Sequence, residues 1–166
     1  SHHYWPDITL AAQEAYWQDS ARLHNAKWEK VFCEVMPALT GHIAATLNLP
    51  DPETIVFAPN THEFVARLLS CFPAGEPIRV LTTGSEFHSF SRQIARFEEE
   101  GLAKVTRMAA EPFNTFADRM AQEVKKGGYD LIFMSHVFFD SGHVVQDIPR
   151  IVNAVPCPTI SLSTIP

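Results

Sequence analysis

The sequence predicts an α/β protein, in which amino-terminal helices lead into part of a mostly parallel, three-layer α/β/α sheet. Three observations carry this prediction. The first third runs from Ile8 to Leu47 at helical spacing with few breakers. After it, short β-branched or apolar runs alternate with segments whose apolar residues recur every three or four positions, the pattern of βαβ units. Asp130 to Val137 is an apolar run bounded by glycine and aspartate, as a strand covered on both faces reads.

Taken in order, Pro6-Asp7 starts a helix that continues from Ile8 to Leu23. Trp17, Trp28 and Val31-Phe32 are expected as large apolar anchors. Pro37 marks a break or restart, and Ala38 to Leu47 continues as helix, with Leu39, Ile43 and Leu47 every four residues. Leu49-Pro50-Asp51-Pro52 is a turn, because two prolines fix φ and remove donors. Residues 1–49 are thus a helical lead-in, and residues 50–166 the sheet domain.

Within the second part, Thr54 to Phe57 and Ile78 to Thr82 read as strands. Thr61 to Phe72 and Ser89 to Glu100 read as helices, the second capped by Gly101. Lys104 to Met108 reads as a strand. Asn114 to Lys126 is a helix with Phe116, Met120 and Val124 on one face, closed by Gly127-Gly128. Val145 to Val155 is a short helix, and Thr159 to Ile165 a further strand.

Composition removes several classes of function. The chain has 166 residues, net charge −6 and 46% hydrophobic residues, so it carries enough apolar side chains for a core. No basic cluster exceeds Lys125-Lys126, which argues against a nucleic-acid groove. No apolar run approaches the roughly 20 residues of a spanning helix, so no membrane partner is expected. The start shows no signal-peptide pattern. Cys33, Cys71 and Cys157 are odd in number and lack metal or redox spacing, so they read as free thiols of a cytoplasmic protein.

Ligands of such sheets sit beyond the carboxyl ends of the strands, which directs attention to three exits. The first is Ala58-Pro59-Asn60-Thr61-His62, where Asn60 or Thr61 caps a helix whose free amides suit a phosphate. Residue type alone favours an ordinary cap. The second is Thr83 to Ser89. Phe87 there can stack on a planar ligand or belong to the core, and residue type alone favours the core, with Ser89 as a cap. The third holds Ser135, His136, Asp140 and His143. A nucleophile elbow is absent, and His136, Asp140 and His143 lack fixed helical ligand spacing, so no metal is expected.

Four segments together resemble the class V aminotransferase family of fold type I pyridoxal-phosphate enzymes, which includes kynureninases and cysteine desulfurases. They are Phe57-Ala58-Pro59-Asn60-Thr61-His62-Glu63, Ser85-Glu86-Phe87-His88-Ser89, Ser135-His136-Val137, and Ser141-Gly142-His143-Val144-Val145-Gln146-Asp147-Ile148. Their order along the chain matches the family. The resemblance implies pyridoxal 5'-phosphate as cofactor, an amino-acid substrate and a homodimer. It gives Asn60 and Thr61 to the cofactor phosphate and Phe87 to the pyridine ring, where kynureninases also have Phe and desulfurases His. It places Ser89 and Ser135 beside the cofactor and makes Gly142 and Asp147 architectural.

The chain departs from the pattern in places. Phe90 stands where kynureninases carry Asp, and Phe138-Phe139 where desulfurases carry Asn. The family's pyridinium Asp would follow the last strand, and the Schiff-base Lys would come later. No Asp follows Pro156 and no Lys follows Lys126. The expectation is therefore an incomplete cofactor domain, a fragment inactive by itself, with no catalytic residue of its own. Two alternatives stand beside it. One is a non-catalytic binding module on half of this fold. The other is an unrelated small α/β domain using His136, Asp140 and His143 for metal or hydrolase chemistry.

Overall fold

A computed structural model describes residues 4–156 and the backbone of 160–164. Two compact units emerge, Ser1–Phe57 and Ala58–Pro166.

In the first unit, α1 (Asp7–Leu23) is followed by a single 3-10 turn, His24–Ala26, and then by α2 (Lys27–Lys30) and α3 (Met36–Leu47). Of the break or restart expected at Pro37, the structure shows the restart: α3 begins at Met36 with Pro37 in its first turn. A π-helical turn over Val31–Val35 joins α2 to α3. Proline has no N–H for the carbonyl four residues back, and a widened turn just before it absorbs the mismatch. Asn48, in the left-handed region at φ 53°, ends α3. Asp19 accepts from Arg22 and Lys30, which hold its carboxyl below the usual range, Lys30 foremost. Among the described residues of this unit only Ala44 is buried, whereas Trp17 and Trp28, expected as anchors, are 73% and 48% exposed. A few consecutive helices provide no second apolar layer of their own to cover such rings.

The second unit opens with α4 (Thr61–Leu69), then alternates β1 (Ile78–Thr83), α5 (His88–Glu99), β2 (Ala103–Met108), α6 (Phe116–Lys125), β3 (Leu131–Ser135), α7 (Ile148–Val152) and β4 (Ile160–Thr164). Thr54 to Phe57 does not form the expected strand. Asp51 caps the Glu53 N–H, and Pro52–Thr54 makes a 3-10 turn from which the chain runs on unpaired. A β-branched run without a neighbouring strand has no ladder to join.

All strands are parallel, in the order β2-β1-β3-β4. Side chains alternate across β1 and β3. On one face Ile78, Val80, Leu131 and Phe133 pack with Val65 and Leu69 of α4 and with Phe90 and Ile94 of α5. On the other, Leu81, Ile132 and Met134 pack with Phe116, Met120 and Val124 of α6 and with Ile151 of α7. The sheet is the middle of three layers, as the apolar runs predict. From β1 the chain moves outward to β2 through α5. It then recrosses the opposite face through α6 to reach β3 on the other side of β1. The carboxyl ends of β1 and β3 therefore form the point where the winding reverses and the exit loops diverge.

Candidate functional site

The site is built where β1 and β3 end. The ladder between them pairs Val80 with Leu131 and Leu81 with Ile132. Beyond it, a buried carboxyl supplies the tie. Glu86, 4% exposed, accepts the Thr83 hydroxyl on Oε1 at 2.5 Å and the Ser135 hydroxyl on Oε2 at 2.6 Å. Burial pushes the Glu86 carboxyl above the usual glutamate range. The hydroxyls of Ser135 and Thr83 and the Ser135 N–H pull it back, and the charge of Asp140 raises it further.

Around this carboxyl the two exit loops are sewn together. Ser85 donates its hydroxyl to Asp140 Oδ2 at 2.9 Å, and the Phe139 N–H donates to the Ser85 carbonyl at 3.1 Å. The loop after β3 doubles back on itself. Val137 and Val144 pair antiparallel, and Gly142 adopts φ 69°, which a side chain would disfavour. Phe138 turns into the core, 1% exposed, whereas Phe139 turns outward and is 52% exposed. Phe87, 38% exposed, meets the Phe139 ring edge-on at 5.2 Å, and His88 meets Phe139 at 4.9 Å.

The amino terminus of α4 lies beside that of α5. Gln93 Nε2 donates to the His62 carbonyl at 3.2 Å and to the Ser89 carbonyl at 3.0 Å. An open depression of about 370 Å³ between them is lined by His62, His88, Ser89, Arg92, Gln93 and Arg96. Asn60 caps α4, its Oδ1 accepting the Glu63 N–H at 3.0 Å. The N–H groups of Thr61 and His62 belong to the first turn and have no partner within the helix.

The structure thus brings Asn60, Thr61, Phe87 and Ser89 to one end of the second unit, because α4 and α5 begin side by side there. Ser135 is at the same end but buried, its hydroxyl turned to Glu86. Phe90 is fully buried and stacks on Phe133 at 3.6 Å, so the position that carries Asp in kynureninases belongs here to the core. Glu86 was assigned no role from sequence. A carboxylate between a strand and a helix looks solvated until the strand order is known, and the hydroxyls of Thr83 and Ser135 are the only local hint.

The alternative grouping of His136, Asp140 and His143 is not assembled. His143 stacks on Phe113 at 4.2 Å, Asp140 is engaged by Ser85, and among the described residues no three potential ligands converge on a metal position. Cys33 and Cys71 are exposed free thiols, and Cys157 lies outside the described residues. Among the described residues no helix is long and apolar enough to cross a membrane.

No protein-family model matches the chain, and no curated protein matches it. Solved structures do. One is the cystine C–S lyase C-DES in complex with its reaction product cysteine persulfide, 16% identical with a TM-score of 0.74. Another is a mutant of C-DES with glycine covalently linked to its PLP cofactor, 17% identical with a TM-score of 0.76. Each likeness covers 95% of this chain and 43% of the neighbour, so the chain spans less than half the length of these structures. The chain accordingly shares its fold with part of C-DES, an α/β sheet domain preceded by helices.

Proposed function

We propose that this chain forms part of the cofactor domain of a pyridoxal-phosphate-dependent enzyme acting on an amino acid. The observation that carries the reading is the half-exposed Phe87 ring at the winding reversal, at the start of α5, the helix that Gln93 ties to the first turn of α4. The likeness in fold to C-DES, whose cofactor is PLP, supports it.

The residues present fit such a group. The Phe87 ring contacts its aromatic neighbours at their edges or at a tilt, which leaves it able to cover a flat heterocycle. The unpaired N–H groups at the start of α4 and the Thr61 hydroxyl suit a phosphate, and the helix dipole favours its charge. Asn60 orders that turn through its cap, and Ser89 lines the adjoining depression. Ser135 acts in this reading through Glu86. When bound, pyridoxal phosphate supplies an electron sink for bond cleavage at the substrate's α-carbon. The chain's own residues bind and orient it. Lys104, Lys125 and Lys126 lie toward the amino ends of the strands, opposite the site, and receive no covalent role. The reading extends to a cytoplasmic homodimer of the class V type, with kynureninase-like hydrolysis, transamination or desulfuration as the reaction.

The test is the absorption spectrum of the full-length protein with added pyridoxal phosphate. A near-ultraviolet or visible band that borohydride abolishes, leaving a labelled lysine peptide, is expected. Neither band nor adduct would overturn the proposal.

A further inference from the structure

We propose that Glu86 is a positioning residue, whose side chain ties the ends of β1 and β3 and thereby fixes where Phe87 and Phe139 stand for a planar ligand. The assignment of a ligand there rests on the reading above, but the tie and its effect on the two rings do not.

The argument begins with topology. Winding reversal opens a crevice between neighbouring parallel strands, and the β1–β3 ladder contributes nothing to holding it beyond Leu81 and Ile132. Glu86 bridges the place where the strands end, with one carboxyl oxygen on Thr83 and the other on Ser135. Its backbone is held too, since the Ser91 hydroxyl of α5 donates to the Glu86 carbonyl at 3.1 Å. Phe87 follows directly, so its ring is placed by a residue fastened to β1, β3 and α5 together.

Phe139 is placed by the same knot from the other side. The Thr83 hydroxyl oxygen accepts the Ser85 N–H at 3.2 Å, and the Ser85 carbonyl accepts the Phe139 N–H. The two rings therefore sit on opposite exit loops whose shared fastening is this carboxyl. The charged group acting on Glu86 is Asp140, from the loop after β3, and among the described residues no cation pairs with it. A surface carboxylate has no need of such burial. Leaving it here without an ion-pair partner is costly, so its hydrogen-bond partners, the two hydroxyls and the Ser135 N–H, are what make the position tolerable.

The experiment compares the full-length wild-type protein with Glu86→Gln and Glu86→Ala. Two readouts are taken: the dissociation constant for pyridoxal phosphate, and the nuclear Overhauser contact between labelled Phe87 and Phe139 rings without ligand. Gln keeps one acceptor and one donor for the two hydroxyls, so it is expected to keep the ring contact and to bind within about threefold of wild type. Ala is expected to lose the contact and weaken binding at least tenfold. If Ala does not fold, Thr83→Val, which removes the β1 arm together with the acceptor for the Ser85 N–H, is expected to weaken both readouts. Retention of the ring contact and unchanged binding in folded Ala or Val variants would overturn the proposal. Wild-type protein that binds no pyridoxal phosphate would overturn the functional reading alone, and the ring contact would still decide the role of Glu86.

Discussion

Replacing Phe90 separates a core position from a site position. Its ring is fully buried, stacks face to face on Phe133 and packs among Val65, Leu69, Val80 and Ile94. Truncating such a ring in Phe90→Ala costs about 3–5 kcal/mol, through lost transfer energy and the cavity left behind. For a chain of this length that corresponds to a fall in Tm of about 6–20 °C. Phe90→Asp places a carboxylate in the same space with no partner. The several kcal/mol this costs, added to the lost ring, reaches the whole of a typical stability of about 5–15 kcal/mol. Urea unfolding followed by circular dichroism measures both, with an unchanged m-value marking the Ala variant as a pure loss of stability. A loss below about 1 kcal/mol for Ala, or a folded Asp variant with a wild-type midpoint, would refute the packing argument.

Further outcomes follow from single contacts. Asn60→Ala removes the side-chain acceptor for the Glu63 N–H and is expected to lower stability by about 1 kcal/mol in the same urea assay. Asp130 accepts the Arg79 guanidinium at 2.7 and 3.0 Å, and Arg79 holds its carboxyl below the usual aspartate range. A carboxyl depressed by folding stabilises above its unfolded pKa and loses that contribution as pH falls through the folded value. Asp130→Asn is therefore expected to flatten the decline of the urea midpoint below about pH 4, and an unaltered acid limb would count against the pair.

The second unit was legible because its periodicities agree with one another. Phe116, Met120 and Val124 line one helical face and are all buried, and Leu131 to Met134 alternate between two cores as a strand covered on both sides must. Thr54 to Phe57 forms no strand because β-branched residues signal a strand only where a neighbour completes the ladder, and a 3-10 turn capped by Asp51 takes up Pro52–Thr54. Trp17 and Trp28 stand exposed because size and apolarity predict burial only where a second layer exists. Phe87 was placed in the core by residue type, yet it stands half-exposed beside Phe139. Phe138 and Phe139 are identical in type and adjacent in sequence, and only the doubled-back loop sends one inward and the other outward. Glu86 escaped notice for a related reason: the two hydroxyls that receive it come from different strands, and only the folded order of the sheet makes them neighbours.

The central strand pair is fastened at both ends by carboxylates, but in opposite surroundings. At the amino ends, Asp130 and Arg79 form an ion pair that water and dissolved salt can reach. At the carboxyl ends, Glu86 works out of contact with water and without a counter-charge. Raising ionic strength therefore weakens the ion pair at one end and spares the hydrogen-bonded carboxyl at the other, beside the candidate site.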